Sequence, residues 1–160
     1  MQHYRYIFSL MVLLLLGILA GCGDEPVTPE VALTRLIEAG EEAVEVRDLS
    51  SAMALVDPEY SDARGNGWPQ LRGLLAGYFI RHPSIYVISK IDRIELVSDR
   101  EADVLVYAGL AGSAQEASGP LTGWRGNLLR LDLGFILNDD GDWLLQRAAW
   151  RSARRDDFTQ

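Results

Sequence analysis

The chain has 160 residues, with 15 lysine plus arginine against 23 aspartate plus glutamate, for a formal net charge of −8. That length suits one compact domain and is short for two. An acidic chain with no basic stripe cannot neutralise phosphates, which excludes nucleic acid as a partner, and its charge opposes adsorption to anionic lipid.

The amino end carries Arg5, then an uncharged apolar run from Ile7 to Ala20, and closes on Leu19-Ala20-Gly21-Cys22. A basic start, a short apolar core and small residues before a cut describe a secretory signal peptide over residues 1–21. Leu19-Ala20-Gly21-Cys22 resembles the bacterial lipobox. The resemblance implies a diacylglyceryl thioether on Cys22, cleavage before it and acylation of the new amino group. The alternative is an uncleaved membrane anchor, but the uncharged run is short of the ~20 residues a spanning helix prefers. Cleavage would remove Arg5 and no acid, so the formal charge of −8 becomes −9. Cys22 is the one cysteine. With its thiol consumed, no disulfide is available and the core alone must stabilise the domain. Glycine at 23, rather than aspartate, is compatible with sorting to the periplasmic face of an outer membrane. The expected location is therefore a bacterial cell envelope, with Cys22 as the membrane attachment.

Residues 22–28 form a short acidic tether of about 25 Å at full extension. Thr28-Pro29-Glu30 starts a helix with a capping hydroxyl, Pro in the first turn and an acid at the positive end. Leu33, Leu36, Ile37, Gly40 and Val44 follow at helical spacing. Asp48 or Ser50 can cap a second, short helix that Asp57-Pro58 stops. Glu59 to Asp62 reads as a short strand and Gly65-Asn66-Gly67 as a loop. Trp68-Pro69 opens a third helix with Leu71, Leu74, Leu75, Tyr78 and Phe79 on one stripe, and His82-Pro83 closes it. The period then becomes two. Ile85 and Val87 share one parity while Ile94 and Leu96 share the other, so a bulge is required near Ile91-Asp92-Arg93. Ser98 to Glu101 turns into a return strand through Val104, Val106, Ala108 and Leu110. After a polar loop over 112–119, Leu129 to Leu137 alternates cleanly. Asn138-Asp139-Asp140-Gly141 is a hairpin turn. The last strand runs from Trp143 to about Arg151. It carries Trp143 and Trp150 on opposite parities, so alternation does not choose its inner face. Residues 153–160 are a polar tail.

This element order resembles the NTF2-like fold, particularly its SnoaL-like group. The likeness is carried by segment 47–57 (Arg-Asp-Leu-Ser-Ser-Ala-Met-Ala-Leu-Val-Asp), by Tyr60, by Asp140-Gly141-Asp142-Trp143 and by Trp150-Arg151-Ser152. It implies an α+β domain over residues 29–152, with three N-terminal helices packed on a curved antiparallel sheet that wraps the third helix into a cone. The family hosts isomerases, dehydratases, hydrolases, cyclases and domains without catalysis, so fold alone does not choose among them. Its enzymes place an Asp, His or Tyr acid/base in the cone, often paired, and no such pair is matched here residue by residue.

The catalytic candidates are Tyr60, Asp62, Tyr78, His82 and Asp132. His82, the one histidine after the leader, is a general base only if a carboxylate and a pocket accompany it. The reading preferred is an exposed helix C-terminus. Tyr60, Asp62 and Tyr78 either converge at the cone mouth or divide between core and loop. Asp132, beside Arg130, lines a wet pocket, a dimer face or solvent. The ligand-binding candidates are Trp68, Tyr78, Trp124, Trp143 and Arg147. Trp68 and Trp124 sit in Gly-flanked loops, where an aromatic either covers a core edge or contacts a ligand or partner. Asn138 to Asp142 offers oxygens but lacks the spacing and distal Glu of an EF-hand loop. Neither a metal nor a cofactor is expected. Acids crowd the first helix (Glu38, Glu41, Glu42, Glu45, Asp48) and arginines the end (Arg147, Arg151, Arg154, Arg155), as two solvated faces or as mutually attracting termini. The expectation is a membrane-anchored, non-catalytic module that binds a small apolar ligand or an envelope protein. A SnoaL-like isomerase, hydrolase or dehydratase is the alternative, and a structural homodimer the third option.

Overall fold

A computed structural model describes residues 27–113, 127–154 and 157. Cys22, the leader and Trp124 lie outside these residues. Helix α1 spans Pro29–Glu45, and its first turn is capped by the Thr28 hydroxyl, which accepts from the Val31 amide at 3.4 Å. Arg47 ends the turn that follows at φ 57°, in the left-handed region. Asp48, not Ser50, then caps α2 (Leu49–Ala54). Its carboxylate accepts from the Ser50 and Ser51 amides at 2.9 and 3.0 Å and from the Ser51 hydroxyl at 2.7 Å. Strand β1 (Val56–Asp62) starts earlier than Glu59 and contains Pro58. Proline is tolerated there because β1 lies at a sheet edge. Helix α3 (Trp68–Arg81) opens at Gly67, whose amide donates to Gln70 Oε1 at 3.2 Å. Strands β2 (Tyr86–Ser98), β3 (Glu101–Ala111), β4 (Asn127–Leu137) and β5 (Trp143–Ser152) form the meander.

The sheet runs β1-β5-β4-β3-β2. All pairs are antiparallel except β1 with β5, which is parallel. A short β1 arriving from the helices, rather than by a hairpin, can dock in either direction. Between β4 and β5 the chain turns at Asn138–Asp142, where Asn138 Oδ1 accepts from the Asp142 amide at 2.8 Å and Gly141 takes φ 89°.

Two bulges aim the side chains. In β2 the register shifts between Ile91 and Arg93, so Asp92 is the extra residue the parity change requires. In β5 the partners jump from Phe135↔Leu145 to Gly134↔Arg147, which leaves Gln146 unpaired. Trp143 and Trp150 thus face the same side despite their spacing, because Trp150 sits opposite Leu131 and Trp143 opposite Leu137. A bulge reverses the alternation at the cost of a ladder bond and bends the strand.

The main core lies on that inner side, where Leu33 and Ile37 of α1 pack with Ala102, Val104, Val106, Phe135 and Trp143. A second cluster joins Met53, Val56 and Tyr60 to Trp68, Leu71 and Leu75. Here the structure departs from the expected wrapping of the third helix. Helix α1 packs on β2 and β5, whereas α3 packs on α2 and β1. Only Phe79 of α3 is buried, and Leu74 and Ile80 remain 52% and 84% exposed. The apolar spacing made a helix, but α3 sits at the rim of the sheet and leaves the hollow beneath it unfilled.

The outer face is charged. Arg147 crosses Gly134 to reach Asp103 at 3.2 Å, and a Cβ at Gly134 would stand 2.9 Å from the guanidinium. Arg130 pairs with Asp132 at 2.8 Å on the same face. Such solvent-facing pairs contribute little to stability. The termini do not attract one another among the described residues: Glu41 and Glu45 bind β2, and Arg151 approaches Asp157 at 3.9 Å.

Candidate functional site

The unfilled hollow is the candidate site. It is a cavity of about 290 Å³ between α1, α2, α3 and the inner face of the sheet. Helix α1 supplies Leu36, Ile37, Gly40 and Val44, α3 supplies Leu71 and Leu75, and the sheet floor is built from Val106, Leu131, Leu133 and Phe135. These floor residues share a face because Val106 pairs with Leu131 and Val104 with Leu133 in the β3–β4 ladder. The volume lies at the lower end of the range for small-molecule pockets, and the largely apolar lining is what such pockets use.

Two polar side chains interrupt the lining, Glu41 of α1 and Ser89 of β2. They meet: the Ser89 hydroxyl donates to Glu41 Oε1. One turn on, Glu45 Oε1 accepts from the Val87 amide at 2.7 Å. Sequence reading missed Glu41 by counting it with the exposed acids of α1. A signal was present, since Glu41 follows Ile37 by four and precedes Val44 by three, on the apolar stripe.

The residues singled out from sequence are distributed elsewhere. Tyr60 is 3% exposed within the second cluster. Burial and then the neighbouring Asp62 charge push its hydroxyl pKa up to about 12. Asp62 organises the turn after β1, accepting from the Arg64 and Asn66 amides at 2.8 and 2.9 Å and from Asn66 Nδ2 at 2.8 Å. Burial pushes its carboxyl up, but these bonds and the Arg64 charge outweigh it and leave the pKa below the usual value. Tyr78 stacks on His82 with ring centroids 4.2 Å apart, and burial raises the Tyr78 pKa. His82 caps α3, its amide donating to the Tyr78 carbonyl. Asp132 and Arg147 are on the outer face, where with Asp62, Arg93 and Asp103 they line an open, polar concavity of about 500 Å³. Trp68 covers the second cluster and Trp143 fills the main core. None of Trp68, Tyr78, Trp143 and Arg147 lines the apolar cavity. Tyr60 and Asp62 are brought together by their i, i+2 spacing on β1; Tyr78 belongs instead with Leu110, Leu128 and Ser152 at a shallow concavity.

Asp48, which caps α2, and Asp62, which holds the turn after β1, make stability pH-dependent. In Asp48 the Ser51 amide, then the Ser51 hydroxyl, hold the carboxyl below its ordinary 3.8, and Asp62 is lowered as well. A carboxyl with a depressed folded pKa contributes stability that is present above its unfolded value and lost as pH falls through the folded one. The urea midpoint is therefore expected to hold down to about pH 5 and to fall below about pH 4. Asp62→Asn should shrink that acid loss, and an unchanged acid limb would refute the role given to Asp62.

Solved structures share this architecture. An NTF-2 like protein from Shewanella oneidensis has a TM-score of 0.57 at 20% identity, over 77% of this chain and 98% of its own. A putative scytalone dehydratase from Novosphingobium aromaticivorans has a TM-score of 0.55 at 18% identity, over 77% and 83%. Bd1075 of Bdellovibrio bacteriovorus has a TM-score of 0.60 at 11% identity over 76% of this chain, which spans 40% of its length. No protein-family model and no curated protein sequence matches the chain. The chain thus has an NTF2-like α+β fold, with helices packed on a curved, unclosed sheet. At these identities the likeness establishes the fold and leaves the chemistry to the site.

Proposed function

We propose that this protein is a lipid-anchored module of a bacterial cell envelope that holds a small apolar ligand in the hollow of its NTF2-like domain without transforming it. The observation that carries the ligand reading is the cavity of about 290 Å³ with an almost wholly apolar wall. Leaving that much apolar surface unpacked forfeits dispersion contacts and burial that a filled core would keep, and an apolar guest restores them at about 0.8 kcal/mol per buried methylene. The non-catalytic reading is supported by the state of the aromatic and acidic candidates. Tyr60 at about 12 and a lowered Asp62 are both far from the neutral range an acid/base pair works in. The anchor reading is supported by Leu19-Ala20-Gly21-Cys22, with the periplasmic face of the outer membrane as the location and neither nucleic acid nor cofactor as partner. An envelope protein on the charged outer face, or a second copy of the chain, are the other partners this reading admits.

The test is a titration of the full chain, in phosphatidylcholine nanodiscs, with 1-octanol while methyl resonances are followed. Val106, Leu131 and Leu75 methyls are expected to shift. Ala108→Phe, which fills the cavity from the floor, is expected to weaken binding at least tenfold with the fold retained. Equal binding by both proteins would sink the cavity reading. The Glu41 carboxyl on the cavity wall favours a second reading, a dehydratase, isomerase or hydrolase. It requires turnover of a carbonyl or hydroxylated substrate that Glu41→Gln abolishes.

A further inference from the structure

We propose that Glu41 and Ser89 form the polar anchor of the apolar cavity, and that its ligand is a cationic amphiphile with an ammonium head on Glu41 and a hydrocarbon body along the sheet floor. The inference rests on the reading of the cavity as a ligand site and adds the chemical class of the ligand. Every other side chain in the cavity wall is apolar or glycine. A guest with a polar head therefore has one place in the cavity to put it.

The hydrogen-bond inventory gives the head its character. A carboxylate has two oxygens and about four acceptor sites. Glu41 Oε1 takes the Ser89 hydroxyl, and among the described residues no protein donor reaches Oε2. What the wall lacks is thus a donor. An ammonium supplies three, together with the opposite charge, and charge-assisted bonds are about twice as strong as neutral ones. A carboxylate head would bring like charge and no donor. A hydroxyl head would bring one donor and no charge.

The surroundings favour the same sign. Glu42 is exposed on α1 next to Glu41, and Glu45 holds the Val87 amide one turn further. The nearest basic group on that helix, Arg35, is exposed and lies with Glu30 and Glu38 on another face. Field from several acids at the edge of a low-dielectric hollow concentrates cations. The body of the guest meets Leu36, Leu75, Val106, Leu131 and Leu133, where burial of each methylene adds affinity in the same increments whatever the head. Head and body are therefore separable by experiment.

Three probes of equal chain length decide it: n-octylamine, 1-octanol and octanoate, each titrated into the full chain in phosphatidylcholine nanodiscs at pH 7 and followed by the same methyl resonances. Each protein is compared in identical discs, so for a given probe partition into lipid cancels between proteins, and between probes affinity is referred to the free aqueous concentration. Octylamine is expected to bind at least tenfold more tightly than either of the others. Glu41→Gln should remove that advantage and leave octanol unchanged, while Ser89→Ala, which frees Oε1, should keep or strengthen amine binding. Retained methyl dispersion reports that each variant is folded; if Glu41→Gln fails to fold, Glu41→Leu and the wild-type ranking of the three heads carry the decision. Binding of all three probes with equal affinity, blocked by Ala108→Phe but indifferent to Glu41→Gln, would overturn the anchor and leave the cavity reading intact. Failure of every probe to bind would overturn both.

Discussion

Cys22→Ala is expected to abolish fatty acylation altogether and to leave the leader attached. The modifying chemistry needs a thiol, and the chain has one. In the lipobox scheme the cut before residue 22 follows acylation, so the variant should also keep residues 1–21. Intact-mass spectrometry of protein from a bacterial envelope checks both consequences together. The wild type should begin at Cys22 and carry the mass of its acyl chains; the variant should be unacylated and longer by the leader. Each buried methylene contributes about 0.8 kcal/mol, and one chain gives marginal binding where two or more give a lasting hold. The effect is therefore close to all-or-none. A native wild-type protein with a free thiol or an intact leader would remove the anchor, and the envelope location with it.

Trp143→Ala is expected to be among the most damaging single changes in the domain, costing about 3–5 kcal/mol. Trp143 is 8% exposed and packs in the main core with Leu33, Ile37, Val106 and Phe135. Removing the indole leaves a void that the strands cannot close without breaking the β4–β5 ladder. On a domain of this size the loss corresponds to a fall of roughly 10–20 °C in Tm. Trp150→Ala should cost markedly less. Trp150 is half-buried on the same side of the sheet, and its ring is covered by the Arg64 guanidinium 4.9 Å from the centroid. Urea denaturation of the three proteins ranks them. Equal losses for the two tryptophans would show that the core is not centred on Trp143.

The strands and helices were legible because their apolar residues recur at fixed intervals. Ile85, Val87, Ile94 and Leu96 demanded a change of parity, and the bulge at Asp92 answers it. The same logic applied to Trp143 and Trp150 would have required a second bulge between them, which is where Gln146 stands. What periodicity does not encode is the partner of a face. Leu71, Leu74, Leu75, Tyr78 and Phe79 identify a helix, but not that it packs on α2 and β1. The hollow between α3 and the sheet leaves no trace in the spacing. Glu41 was obscured for a related reason. In one dimension it belongs to a run of acids, and only its helical phase separates it from Glu38 and Glu42. Tyr60 and Asp62 were catalytic candidates by residue type alone; the structure packs Tyr60 in the second cluster and gives Asp62 the amides of the turn after β1.

The bulges also bear on the exposed edge of the sheet. Among the described residues β2 is the last strand of the sheet and, at 13 residues, the longest, and one row of its amides and carbonyls meets no further strand there. Rows of that kind invite polymerisation by strand addition. Breaks in register at Asp92 and again between Leu96 and Ser98 leave no uninterrupted run longer than Tyr86 to Ile91. Near the start of that run the Glu45 carboxylate already occupies the Val87 amide. An incoming strand would have to displace a charged acceptor and then follow two kinks, which disfavours strand addition at this edge.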